Sequence, residues 1–236
     1  MIESKDDYRY YVEQDRKALG YGERRGFAGR MRQLLLPDPI RRFERRLRRC
    51  EYLLNVKGRG VRYYLALIAF ERLSRKLGFY IPLNVFGPGL SIPHYGTIIV
   101  NPAARVGKNC RLHACVNIGA SNGSHAAPQI GDNVYIGPSA VIFGAITIAD
   151  NVTIGANATV NRSCTEKGAV LAGTPAMVIK SGFPVWWETN RIDLRHPTDR
   201  PTDQPTDQPT NQPTNQPTNH TLITLSSAWS PRRISA

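Results

Sequence analysis

Three of the five histidines, His94, His113 and His125, fall in a stretch built otherwise from Val, Ile, Gly, Asn and other small residues. A neutral imidazole titrates near ~6.5, so a histidine turned away from the core can take a proton from a hydroxyl at neutral pH. His94 lies in Ser91-Ile92-Pro93-His94-Tyr95-Gly96-Thr97-Ile98. His113 directly follows Leu112, and His125 lies in a small, polar segment running from Gly119 to Gln129. The four cysteines, Cys50, Cys110, Cys115 and Cys164, show no CxxC spacing. Neither a disulfide framework nor a cysteine-based zinc site is expected, and no metal is called for.

The elements that would position these histidines are set by a six-residue period. Stepping by six from Val100 reaches Val106, Leu112, Ile118, Ser124, Ile130, Ile136, Ile142, Ile148, Ile154 and Val160, so only Ser124 breaks a run of Val, Ile and Leu. Four positions after each anchor the residue is again small or apolar, as at Ala104, Cys110, Val116, Val134, Ala140, Ile146, Val152, Ala158 and Cys164. Glycine at 107, 119, 131, 137 and 155 and asparagine at 101 and 161 follow the anchors directly. Both tolerate left-handed backbone, so these positions are read as the corners.

A helix repeats near 3.6 and a strand at 2, and a sustained six fits neither. It fits a short strand plus a corner, with three sides closing one coil of a parallel β-helix. Cys110 and Cys164, three such coils apart in sequence, are then expected in one interior column as core fillers. Upstream, Phe86, Ile92 and Ile98 keep the same step but are offset by two from the later series. A two-residue slip near His94 would distort a corner and turn its imidazole outward. The segment around Ser124 is expected to leave the coil as a loop carrying His125.

The pattern Val106-Gly107-Lys108-Asn109-Cys110, repeated as Ile154-Gly155-Ala156-Asn157-Ala158, resembles the hexapeptide acyltransferases. Leu171-Ala172-Gly173-Thr174-Pro175-Ala176 matches the Ala-Gly-x-Pro-Ala segment that finishes their helix. The resemblance covers about residues 81–180. It implies a mainly β fold, a left-handed parallel β-helix, where crossover rules alone would favour the right hand.

Within that family, the segment Ser91 to Ile98, with Val106-Gly107 and Asn117-Ile118-Gly119 at matching spacing, looks most like the serine O-acetyltransferases. That likeness implies His94 as the general base; His113, at an outward corner after its anchor, and His125, in the loop, are substrate-binding candidates from their positions. The likeness also implies acetyl-coenzyme A as co-substrate, bound in the groove between copies of a homotrimer, with a small hydroxyl acceptor. Arg162, Lys167, Gly173 and Lys180 are the coenzyme-binding candidates, the cations suited to phosphates. The acid that would orient the histidine falls on Phe79, the acidic residue before it on Pro93, and the Arg-His pair before the loop's proline on Ala126-Ala127. Acetyl transfer to serine is the first reading. Transfer to a sugar hydroxyl, or a non-catalytic scaffold with an arginine-rich binding helix, are the alternatives.

Charge divides the rest of the chain. Residues 1–80 hold 20 of the 31 basic residues and 10 of the 18 acidic ones, so the net charge of +13 is mostly N-terminal and a uniform nucleic-acid coat is not expected. Residues 39–56 read as a helix with Ile40, Phe43, Leu47, Cys50 and Leu54 on one face, and Arg41, Arg42, Arg45, Arg46, Arg48 and Arg49 around the solvated remainder. A second helix over roughly 61–77 carries Tyr64, Leu65, Ile68, Leu73 and Leu77 as its apolar residues. Residues 1–80 thus form a basic helical region, 81–180 the β-helix, and 181–196 an extension. The remainder, 197–236, is a Pro-Thr repeat expected to be disordered. No apolar run approaches the ~20 residues of a membrane helix, and a cytoplasmic protein is expected.

Overall fold

The computed structural model describes residues 1–20, 31, 38–121 and 123–189. The Pro-Thr repeat expected to be disordered lies outside them. Three helices lie wholly within the described residues of this region: α1 (Lys5–Ala18), α2 (Pro39–Tyr52), which runs on into a π-turn at Leu53–Lys57, and α3 (Val61–Leu77). The Ser4 side chain caps α1 by accepting from the Asp7 amide, and Asp38 does the same for α2 through Ile40, with Pro39 suited to the first helical position. Gly78, at φ 76°, ends α3 in the left-handed conformation.

Strands of two to four residues follow. They are β1 (Phe79–Tyr80), β2 (Ile98–Val100), β3 (Arg105–Val106), β4 (Arg111–Leu112), β5 (Asn117–Gly119), β6 (Gln129–Ile130) and β7 (Tyr135–Ile136). After them come β8 (Val141–Phe143), β9 (Thr147–Ile148), β10 (Thr153–Ile154), β11 (Thr159–Val160), β12 (Val170–Ala172) and β13 (Met177–Lys180). A short α4 (Trp186–Thr189) closes the described chain.

The strands assemble into three sheets, β1-β2-β5-β8-β11, β13-β12-β10-β7-β4 and β3-β6-β9. All neighbours are parallel except β12 and β13. Each sheet is one side of a prism, and every coil satisfies its amides on the next. The anchors point inward: Leu112, Ile118, Ile136, Ile142 and Ile154 are fully buried, each worth ~1.5–3 kcal/mol over exposure. The repeat read from sequence is therefore the core of the fold.

Two irregularities of the register bear on the histidines. Ile99 pairs with Asn117 and Thr153 with Tyr135, a spacing of 18, but Phe86 pairs with Val106 and Ser91 with Arg111, a spacing of 20. The two added residues lie in the corner that holds His94, which is exposed, as the offset of the two series predicts. Between Asn117 and Val141 the spacing is 24, so six residues leave the coil around the exposed Ser124 and His125.

Four expectations need correction. The residues in left-handed backbone are Asn109, Cys115, Asn133, Ser139, Asn151 and Asn157, three positions after the anchors, and the glycines directly after the anchors are not among them. Gly107, Gly131 and Gly137 answer to crowding: a Cβ on Gly107 would stand 2.7 Å from the Gly131 carbonyl, and one on Gly131 or Gly137 would stand 2.8 Å from the amide of Asp150 or Ala156. Cys164 bridges Ile148, which puts it in the column of Val106 and Ile130 beside the one holding Cys110, because the coil between them is shortened. On α3 the face formed by Tyr64, Leu65 and Ile68 is exposed, while Tyr63, Phe70, Ser74 and Leu77 are buried and Phe43 of α2 stacks on Phe70. Finally, Arg48 does not belong to a solvated face. It is fully buried.

Candidate active site

The corner joining the second sheet to the first recurs once per coil, at residues 93–97, 113–116, 137–140 and 155–158, and the 173–176 turn between β12 and β13 stacks on the last of them, where Thr174 Oγ1 donates to the Asn157 carbonyl at 3.2 Å. Backbone bonds tie these corners into one edge, from the Ser139 amide to the Ala114 carbonyl at 3.0 Å and from the Asn157 amide to the Pro138 carbonyl at 2.9 Å. His94 stands near one end of this edge and Gly173 at the other. Four steps of ~4.8 Å separate their coils, roughly 19 Å in all. Gly96 makes the His94 corner possible: its φ is 138°, and a Cβ there would press to 2.9 Å from that of Ala114.

The His94 and His113 rings lie 6.0 Å apart between centroids, and the Tyr135 ring lies 4.9 Å beyond His113. His113 Nε2 is buried without a hydrogen-bond partner. Burial, then the charge of Arg111 and the neighbouring His94, pushes the His113 imidazole down to about 4, so it is neutral at physiological pH. Arg111 lies over the Trp186 ring at 5.2 Å, and burial lowers its own pKa. Trp186 Nε1 donates to the Asn109 carbonyl at 2.8 Å and Trp187 Nε1 to Asn133 Oδ1 at 3.1 Å, so α4 is fastened to the coils beside the histidines. Sequence reasoning missed both tryptophans, although adjacent aromatics following a repeat were a visible signal.

The other predicted site residues are dispersed. His125 is exposed in the extruded loop. Gly173 lies on the histidine edge, and Lys180, in β13 of the terminal coil, stands over the Phe183 ring at 5.2 Å. Arg162 follows β11 at another edge. Lys167 faces the third sheet, where it pairs with Asp150 at 2.9 Å and lines a shallow groove of about 470 Å³ with Arg105, Gln129 and Asp132. A single chain therefore joins His94, His113 and Gly173 along one edge but not Arg162 or Lys167. Phe79 and Ala127, where an acid and a histidine were expected, are buried, so they offer no charge. Among the described residues no three His, Cys, Asp or Glu side chains cluster as metal ligands, and no helix is long and apolar enough to cross a membrane.

Residues 127–162 match the family model of the bacterial transferase hexapeptide (six repeats), and residues 195–220 match a PT disordered repeat. The chain is similar to a Neisseria gonorrhoeae serine acetyltransferase solved in complex with serine, at 27% identity and TM-score 0.59, covering 75% of this chain and 71% of that one. In fold and in its hexapeptide repeat the chain is similar to the serine acetyltransferases. A soybean serine acetyltransferase complexed with serine matches at 25% identity and TM-score 0.60, covering 74% of this chain and 70% of that one. A Brucella abortus serine acetyltransferase in complex with coenzyme A shares the fold at 23% identity and TM-score 0.61, covering 76% and 71%. No curated protein sequence matches the chain. With the repeat, these neighbours make the fold a left-handed parallel β-helix and support acyl transfer as its chemistry.

Proposed function

We propose that this protein is a cytoplasmic, homotrimeric O-acetyltransferase that uses acetyl-coenzyme A and His94 as general base. The observation that carries this reading is the placement of His94, turned out of the coil by a two-residue insertion and set on the same edge as Gly173. Imidazole at that corner takes the proton of the acceptor hydroxyl as its oxygen attacks the thioester carbonyl. The tetrahedral intermediate collapses with loss of the coenzyme A thiolate, to which the imidazolium returns the proton. His113, neutral and with Nε2 unpartnered, is suited to hydrogen-bond the acceptor or the amide-rich arm of the coenzyme.

The roughly 19 Å between the His94 and Gly173 coils suits an extended pantetheine arm, with the phosphates toward Lys180. Arg162 and Lys167 reach the same coenzyme only from a neighbouring copy, which is the reason for proposing a trimer. Serine is the first acceptor, on the strength of the serine-bound neighbours. A sugar hydroxyl is the second reading, favoured by the uncharged residues at positions 79, 93, 126 and 127.

Thiol release from acetyl-coenzyme A, measured with serine and with a panel of sugars, tests both. His94→Ala is expected to lower kcat by about 10²–10⁴ while the melting temperature stays unchanged. Activity kept near wild type in that variant excludes His94 as the base.

A further inference from the structure

The helical region contains a cavity that the acetyl-transfer site does not explain. It lies between α1 and α2, has a volume of about 240 Å³, and is lined by Val12, Asp15, Arg16, Arg41, Glu44 and Arg45. Its charges are layered. Asp15 and Glu44 are buried at 3% and 2% exposure, whereas Arg45 is exposed and Arg16 and Arg41 are half-buried. The two carboxylates differ in what they already hold. Asp15 is committed to Arg48 at 2.7 and 3.2 Å and to the amides of Gly89 and Leu90 at 2.8 and 2.9 Å. Both carboxyl oxygens of Glu44 are buried, and the Ile92 amide approaches them without completing a hydrogen bond.

A buried carboxyl left in that state is costly, and fixed donors or a bound ligand are the usual remedies. A bare cation would meet Arg41 and Arg45 at the mouth, where Arg16 is already paired with Glu13 at 2.6 Å, and a bare anion would meet Asp15 and Glu44 at the floor. A molecule that is cationic at its inner end and anionic at its outer end matches both layers. At ~30 Å³ per water the cavity has room for about eight water-sized atoms, the scale of a small amino acid. We propose that this cavity binds a small α-amino acid zwitterion, its ammonium donating to Glu44 and its carboxylate facing the arginines at the mouth, chiefly Arg45.

The site is independent of the acetyl-transfer reading and shares no residue with it. It has a route of influence, since Asp15 also holds the Gly89 and Leu90 amides of the coil that leads to His94. Glu44 is held well above the ordinary carboxyl range by burial and then by Asp15, with Arg48 on its own helix and the Ile92 amide of the coil opposing and Asp38 adding to the shift. Taking up an ammonium group therefore requires Glu44 to release its proton.

The test is titration calorimetry of the full chain with glycine and L-alanine, which have no hydroxyl or thiol to acetylate. Propionate and ethylamine serve as probes lacking one charge each, and two buffers of different ionisation enthalpy report the proton. Saturable binding of L-alanine is expected, with proton release and with propionate and ethylamine at least tenfold weaker. Glu44→Gln is expected to weaken alanine at least tenfold. Arg45→Ala, at an exposed position that leaves the fold intact, is expected to bring alanine to the level of ethylamine, and His94→Ala to change nothing. No saturable binding of either amino acid to wild type, equal binding by ethylamine, or unchanged affinity in both Glu44→Gln and Arg45→Ala overturns the proposal. Loss of alanine binding in His94→Ala would assign it to the acetyl-transfer edge and overturn it as well.

Discussion

The β-helix and the helices that precede it solve the problem of an interior in opposite ways. Inside the coils the side chains are apolar and interchangeable: Val, Ile, Leu, Ala and Cys stack in columns, and the backbone supplies the hydrogen bonds, joined at one corner by an Asn109–Asn133–Asn151 side-chain ladder. Between the helices and the first coil the apolar packing of Phe43, Phe70 and Phe79 is joined by a buried ionic cluster. Arg48, fully buried, donates all five of its guanidinium hydrogens: two to Asp15, one to Glu51, and two to the carbonyls of Phe86 and Gly87 at 2.9 and 2.6 Å. Burial opposes its charge, and the carboxylates of Asp15 and Glu51 outweigh that cost and raise its pKa. Glu51 in turn accepts from the Asn84 amide at 2.8 Å. A repeat can be extended by apolar stacking because every coil is equivalent. A single junction between unlike elements has only one correct docking, and directional, charge-assisted bonds specify it.

Substitutions on the two sides put that contrast at risk. Removing the guanidinium in Arg48→Met strands Asp15 and Glu51 without a partner and is expected to cost about 3–5 kcal/mol in chemical denaturation. A loss below about 1 kcal/mol would mean that the junction is held by its apolar contacts after all. Within the coils, Ile136→Ala leaves a cavity in a stacked column, and about 3 kcal/mol is expected by the same measurement. Next in size, Glu44→Met removes a buried carboxyl at the junction that completes no hydrogen bond and is expected to stabilise the protein by about 2 kcal/mol at neutral pH. Because folding raises the Glu44 pKa, the wild type should lose stability as pH climbs from about 4.5 toward the folded value, a slope the variant lacks.

The smallest effect belongs to the outer surface of the coils. In the unfolded chain His113 takes up a proton near 6.5, whereas in the folded protein it does so only at about 4. Stability should therefore fall as the pH drops through that interval and be level above it. His113→Asn should flatten the slope, by on the order of 1 kcal/mol because the ring is only half-buried. Parallel urea titrations of the two proteins at pH 4.5 and 7.5 would expose the difference, and identical slopes would remove His113 as its source.

The contrast also explains what could be read from the chain beforehand. The six-step series fixes which residues point inward and, through the offset of Phe86, Ile92 and Ile98 against Val100 onward, where the coil must break around His94. Corner chemistry was harder, because glycine answers both to left-handed backbone and to close approach. Only the spacing of Gly107 from Gly131 across coils separates the two. The burial of Arg48 could not be read at all. It sits among five other arginines on one helix, and nothing local distinguishes it from them until Asp15, 33 positions earlier, and the Phe86 carbonyl, 38 positions later, are brought alongside. For α3, an apolar stripe at helical spacing did not reveal which flank meets Phe43. For the candidate site, His94 was legible as a break in a rhythm, but its neighbours Tyr135 and Trp186 come from other coils and from beyond the repeat.

The excursion between Gly119 and Gln129 has a further consequence. It removes six residues, one full repeat, so the chain re-enters its column in phase and the later coils keep their partners as if no detour had occurred. Chain length at that point is decoupled from the architecture on either side. A loop of different composition, or one lengthened by another multiple of the repeat, could be exchanged there to reach a different ligand while the prism that carries it winds on unaltered.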